Sequence, residues 1–315
     1  MRHFRNNFLL LLLFLIFLNV QPVIAQTELI ATENIEVYLN QFIVDYTKGM
    51  QNANDKFFAK YYEKDIRLMP AFQKTLLGKD NASIYHKAFF DRFDILEYKR
   101  ENIETLDLGS QLAIIGTFEM KVRLKNTERE EELKGKYIDI WRKGEGNPLL
   151  ISEIWNYDHH TDLTEQLKFD HVPGTVLAFQ GHLPVDNNIR FEIASINSFT
   201  EEFISHHDHT LWSQIYADDA IALFSYKPIF RDKKSLDVFI KSHVAELPVF
   251  EKLDIRNNHI DDLGVYVVNI ASHIANWRNT EYSGISTGKG IKIWKRAPNG
   301  SLKIFRQIST YDYNY

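Results

Sequence analysis

Nine residues at 135–143, Gly-Lys-Tyr-Ile-Asp-Ile-Trp-Arg-Lys, return at 288–296 as Gly-Lys-Gly-Ile-Lys-Ile-Trp-Lys-Arg, and each run leads on to a Tyr-Asp pair, Tyr157-Asp158 and Tyr311-Asp312. Sliding the chain by 154 positions also lays Phe57, Tyr62, Asp65, Met69 and Lys79 on Leu211, Tyr216, Asp219, Leu223 and Lys233 without a gap. The matches keep size and polarity, so one module is written twice. Each copy is about 130 residues long, a normal domain size. Solenoid repeats run at about 20 to 50 residues and cannot bury a core alone. The period therefore predicts two domains, 31–165 and 187–315, joined by a linker over 166–186 that carries Pro173, Gly174, Gly181 and Pro184.

Ahead of the first copy, Arg2 and Arg5 precede an apolar run from Phe8 to Leu18 and then Val23-Ile24-Ala25. This is the pattern of a cleavable secretory leader over 1–25. The run is too short for the roughly 20 residues that cross a bilayer as a helix, so the expectation is a soluble chain, secreted or periplasmic after cleavage near Ala25, with no membrane span. The chain has no cysteine. Disulfides are excluded, and stability must come from the cores. Loss of Arg2 and Arg5 with the leader takes the formal charge from −5 to −7. Nucleic acid is then an unsuitable partner, because binding it needs a basic face to neutralise phosphates.

Within copy one, Ile35, Leu39, Phe42, Ile43, Tyr46 and Met50 recur at helical spacing behind Thr32, a candidate cap. A short helix is expected over Phe57 to Tyr62 and a third over Asn81 to Phe93. The period then changes to two: Phe118, Met120, Val122 and Leu124 alternate with Glu119, Lys121 and Arg123, as in a half-buried antiparallel strand. Copy two repeats the order, with helices expected over Ile189 to Ser205, Leu211 to Tyr216 and Lys234 to Val244. Helices first and sheet after means α+β.

This order, with a short-helix Tyr-x-x-Asp, then Gly-Lys, Ile-x-Ile-Trp and a final Tyr-Asp strand, resembles the nuclear transport factor 2-like superfamily, which includes SnoaL-like cyclases and ketosteroid isomerases. The resemblance covers nearly all of the chain after the leader, twice. It implies two cone-shaped domains, each with three N-terminal helices on a strongly curved, mostly antiparallel sheet that encloses an apolar pocket. It also implies a pairing face, here as an intramolecular pseudo-dimer or a homodimer. Carried across residue by residue, the isomerase pair that binds an oxyanion falls on Tyr46 and on Asp139 of Ile138-Asp139-Ile140-Trp141-Arg142. A buried carboxylic acid held neutral can donate to a developing enolate beside a phenol. The position of the family's general base holds Pro70, which abstracts no proton, leaving His86 or Glu119 as substitutes. Copy two has Thr200, Phe224 and Lys292 at the three matching positions.

Three functions are open at this point. The first is an exported protein that binds a small apolar or aromatic molecule in one cone, the first by preference, with Tyr137, Trp141, Met69, Phe118, Trp294 and Lys292 as candidate lining. The second is an isomerase or cyclase using Tyr46 and Asp139. The third is an interaction module that pairs sheet faces. No cofactor is expected. His206-His207-Asp208-His209 has metal-ligand residue types, but its counterpart in copy one is Asn52-Ala53-Asn54-Asp55, an inter-helix turn. The duplication therefore favours a turn with a capping Asp208, and no metal is expected.

Overall fold

A computed structural model describes residues 35–314. The leader expected over 1–25 and the cap expected at Thr32 lie outside the described residues. The first half comprises helix α1 over 35–51, a 3-10 turn at Phe58–Lys60, helix α2 at Lys79–Arg92 and strands β1 (Tyr62–Met69), β2 (Leu76–Leu77), β3 (Phe93–Asp107), β4 (Gln111–Leu124), β5 (Glu130–Arg142) and β6 (Leu149–Tyr157). The second half comprises α3 (Asn188–Ser205), α4 (His209–Gln214), α5 (Lys233–Glu246), β7 (Tyr216–Leu223), β8 (Val249–Leu263), β9 (Tyr266–Arg278), β10 (Ser283–Arg296) and β11 (Leu302–Asn314). The expected second helix of copy one is only one 3-10 turn.

Two open sheets result, ordered β2-β1-β6-β5-β4-β3 and β7-β11-β10-β9-β8. The pairings are antiparallel except for β1 with β6 and β7 with β11. Matching turns close the long hairpins. Gly109 and Gly264 take φ of 91° and 83°, and their N–H groups donate to the carboxylates of Asp107 and Asp262. These Asp-Leu-Gly turns use glycine where a side chain would be strained. The strands also bend at matching places: the register slips at Ile95/Glu97 and Asn102/Glu104 in β3, and at Phe250/Lys252 and Asn257/His259 in β8. Bulges increase twist and bend the bulged strand, which makes each sheet concave towards its helices.

Alternation along β5 and β10 divides the two faces. Lys136, Ile138 and Ile140, like Lys289, Ile291 and Ile293, point away from the helices. Ile115, Ile138 and Ile140 form one buried cluster with Ile291, Ile293 and Ile308 of the other sheet. Leu177, from a 3-10 turn at Leu177–Phe179 in the joining segment, is part of that cluster. The segment expected to be a plain linker is thus pinned at its centre by an apolar side chain. The histidine-rich stretch is the turn between α3 and α4. There His207 has φ 59°, and the Asp208 carboxylate accepts from the Leu211 N–H at 2.9 Å.

Candidate functional site

The concave face of the first sheet is filled by its own side chains. Arg100 on β3 is 6% exposed, and Asp139 and Glu153 are fully buried. The guanidinium donates to Asp139 Oδ2 at 2.5 Å and to Glu153 Oε1 at 3.0 Å. It also lies over the Tyr137 ring at 3.6 Å and the Tyr46 ring at 4.3 Å. Glu153 receives the Tyr46 hydroxyl on Oε1 at 3.0 Å and the Tyr62 hydroxyl on Oε2 at 3.0 Å. His86 Nε2 is 3.0 Å from the Tyr62 oxygen, and its ring stacks on Phe58 at 3.8 Å. Burial pulls the His86 imidazole down to about 3, so it is neutral. Burial raises the Asp139 carboxyl to about 7, against the pull of Arg100. The remaining space is about 30 Å³, room for roughly one water.

Tyr46 and Asp139 are therefore both buried in this cone, but Arg100 and Glu153 stand between them in the network. Tyr46 donates to Glu153, and Asp139 accepts from Arg100. Tyr137 and Phe118 line the residual space, as do Tyr46 and His86. Trp141 lies edge-on to Tyr61 at 6.4 Å. Met69 packs in the cluster between the sheets rather than towards the helices. Arg100 and Glu153 were not singled out from sequence, and Tyr62 only as a position that repeats. The signal for Glu153 was present: it sits in Leu150-Ile151-Ser152-Glu153-Ile154, an acid inside an apolar strand like Asp139.

The second cone is built on the same frame from smaller side chains. Strand register makes Gly290 the equivalent of Tyr137, since Gly290 pairs with Ala271 as Tyr137 pairs with Gly116. In the same way Ile255 opposite His273 and Leu253 opposite Ala275 match Arg100 opposite Phe118 and Tyr98 opposite Met120. Thr200 replaces Tyr46 and Gln307 replaces Glu153. The Tyr216 hydroxyl donates to Gln307 Oε1 at 3.1 Å, repeating the Tyr62 to Glu153 bond with a neutral acceptor. Exchanging Tyr, Tyr, Tyr and Met for Thr, Leu, Gly and Ala leaves an open space of about 230 Å³. Its walls include Trp212, Phe250, Leu253, Ile255 and Ala275.

Lys292, at the position of Asp139, lines this space. Its Nζ is 5.6 Å from the Trp294 ring centroid, and Trp294 itself packs with Ile189, Ile193 and Leu302 behind the cavity wall. Burial draws the Lys292 ammonium down to about 8, partly offset by Glu201. His273 is held neutral by burial, its pKa drawn down to about 4. The first cone thus contains a closed ion-pair network, and the second an apolar cavity with a cation in its wall.

No protein-family model and no curated protein sequence matches the chain. Among solved structures, a ketosteroid isomerase-like protein from Erwinia carotovora atroseptica is 16% identical, with 39% of this chain and 92% of that one covered at a TM-score of 0.35. A nuclear transport factor 2-like superfamily protein from Salmonella enterica serovar Typhimurium is 8% identical, with 42% and 96% covered at 0.37. A protein with a cystatin-like fold from Caulobacter vibrioides is 13% identical, with 42% and 95% covered at 0.35. At these identities and scores nothing about activity follows from the likenesses. Helices ahead of a bent, mostly antiparallel sheet recur in the same order in both halves, the arrangement that the resemblance to the nuclear transport factor 2-like superfamily implies.

Proposed function

We propose that this chain is an exported binding protein that holds a small, largely apolar molecule in the cone of its second half, with the two halves paired as an intramolecular pseudo-dimer. The observation that carries the reading is the cavity of about 230 Å³ between α3, α5 and the second sheet, where the equivalent space in the first half is about 30 Å³. Ligand sites for drug-sized molecules run from about 300 Å³ upward, so the occupant is smaller than that. An aromatic ring with one or two substituents matches walls of Trp212, Phe250 and Leu253. The isomerase reading asks Asp139 to serve as a neutral donor beside Tyr46. Asp139 Oδ2 is instead taken by the Arg100 guanidinium at 2.5 Å and the Tyr46 hydroxyl by Glu153, so neither group is turned to a substrate, which supports binding over catalysis in the first half. Its buried network serves best as a rigid support.

Isothermal titration with indole tests the reading, comparing the natural chain with an Ala275→Phe variant whose ring fills the cavity. Saturable binding that the variant loses supports it. Absence of binding by indole and by substituted benzenes, or binding that Ala275→Phe leaves unchanged, overturns it.

A further inference from the structure

The charge at one position of the frame is inverted between the two cones, and its neighbours do not compensate for the inversion. In the first cone Arg100 faces two carboxylates, Asp139 and Glu153. In the second, the equivalents are Ile255, Lys292 and Gln307, one cation with an alkyl group and an amide. The other lysines of β5 and β10 are already paired: Lys136 with Asp158 and Lys289 with Asp312, each at 2.5 Å, Lys134 with Glu119 and Glu132, and Lys295 with Asp219. Lys292 Nζ has no hydrogen bond or ion pair among the described residues. The Glu201 carboxylate on α3 acts on it electrostatically, but Glu201 Oε1 is engaged by the Ile255 N–H at 2.6 Å. Asp312 Oδ1 is taken by Lys289. His273 and His243, the imidazoles lining the cavity, have their pKa values lowered by burial and supply no negative charge.

A desolvated ammonium without a bonded counter-charge is costly, and a ligand that brings one removes the cost.

We infer that the second cone is a site for small monocarboxylates with an apolar body, the carboxylate held by the Lys292 ammonium and the body lying among Leu253, Phe250 and Trp212. A carboxylate suits this set better than a phosphate. One lysine matches its single charge, whereas a phosphate calls for a guanidinium or several cations. The inference rests on the reading that this cone binds a small molecule, and it adds the ligand's charge.

Benzoate, benzamide and benzylamine share one ring and differ in charge, so titrating each into the full chain separates the two claims. Benzoate is expected to bind at least about tenfold more tightly than benzamide, the size of one charge-assisted hydrogen bond. Benzylamine should not compete. Lys292→Met, and independently Lys292→Gln should the first variant fold poorly, are expected to abolish the preference by lowering benzoate affinity at least about tenfold. Equal affinity for benzoate and benzamide, or a preference that survives both substitutions, overturns the carboxylate inference and leaves the binding cone standing. Failure of all three ligands to bind overturns both.

Discussion

Lys136 and Lys289 occupy equivalent places on β5 and β10, and each reaches into the opposite half of the chain. Lys136 Nζ donates to the Lys227 carbonyl at 2.7 Å, and Lys289 Nζ donates to the Gln73 carbonyl, the counterpart of Lys227 in the other copy. Around them the symmetry continues: Phe72 and Tyr226, both with φ 61°, donate their N–H groups to the Tyr311 and Tyr157 carbonyls. The repeated Gly-Lys and Tyr-Asp dipeptides thus form a reciprocal clasp. Each lysine takes its counter-charge from its own half, Asp158 or Asp312, and its backbone acceptor from the other.

The two clasps differ in access to water, and this sets the first prediction. Both side chains of the Lys289–Asp312 pair are 0% exposed, whereas Asp158 is 28% exposed beside Lys136. Removing one partner of a buried pair leaves an uncompensated charge and costs about 3–5 kcal/mol. Asp312→Ala is expected to show a loss of that size by urea unfolding and Asp158→Ala a smaller one, because water reaches the orphaned Lys136 more easily. The double variant Lys289→Met/Asp312→Leu should recover most of the Asp312→Ala loss. Equal losses for the two single variants would contradict the ranking.

Opposed titrations give the second prediction. Asp139 ionises near 7 in the folded chain against 3.8 for its ordinary value, so between pH 4 and 7 the folded state binds more protons at this site. Stability from this group falls as pH rises through that window. His86 protonates near 3 against an ordinary 6.5, because burial disfavours its charge. Its contribution is present above pH 6.5 and is lost as pH falls towards 3. Unfolding free energies measured from pH 4.5 to 6.5 should rise more steeply with pH in Asp139→Asn than in the natural chain, and less steeply in His86→Gln. Slopes that move together would contradict the assignment.

Packing at the duplicated glycines gives the third. A Cβ on Gly135 would overlap the Asn156 carbonyl and the Phe118 ring, and one on Gly288 would overlap His273 and the Thr310 carbonyl. The two positions are equivalent, and so are their obstacles. Gly135→Ala and Gly288→Ala should each destabilise by about 1–3 kcal/mol, the usual cost of overpacking. Gly144→Ala, with open space around it, serves as the control. Thermal unfolding of the three variants decides it.

Much of this fold was legible because a half-buried strand must alternate, as Phe118 to Leu124 do, and because the duplication supplied every element a second time. Asn188–Ser205 falls within one residue of its expected bounds. The same comparison displayed Tyr137 against Gly290, but a sequence does not say that this exchange opens a cavity. That depends on which neighbours across the sheet shrink with it, here Tyr98 to Leu253 and Met120 to Ala275, and cross-strand register is a three-dimensional fact. Arg100 stayed hidden for the same reason. A lone arginine in Tyr98-Lys99-Arg100-Glu101 looks solvated until β3 is known to lie across β4 from β5, where Asp139 waits.

The leader offers the fourth prediction. The apolar run from Phe8 to Leu18 followed by Val23-Ile24-Ala25 matches a cleavable signal. Amino-terminal sequencing of the protein from its own host is expected to begin near Gln26. A mature chain that retains Arg2 and Arg5 would contradict export by this route.

The isoleucine cluster between the sheets supplies the last prediction. Ile115, Ile138 and Ile140 meet Ile291, Ile293 and Ile308, all 1% exposed or less. A sheet face this apolar must be covered, and within one chain the other half covers it, held close by the joining segment at high effective concentration. The full chain should therefore elute as a monomer at every concentration tested, since its pairing face is already occupied. Ile293→Asp places an unpaired carboxylate in that cluster and should cost several kcal/mol, and its readout distinguishes two cases. If the halves hold together through this face, the variant chain unfolds at lower urea and self-associates through the exposed isoleucines. If light scattering shows the natural chain as a stable dimer, the covering partner is a second copy, and the intramolecular pairing is wrong.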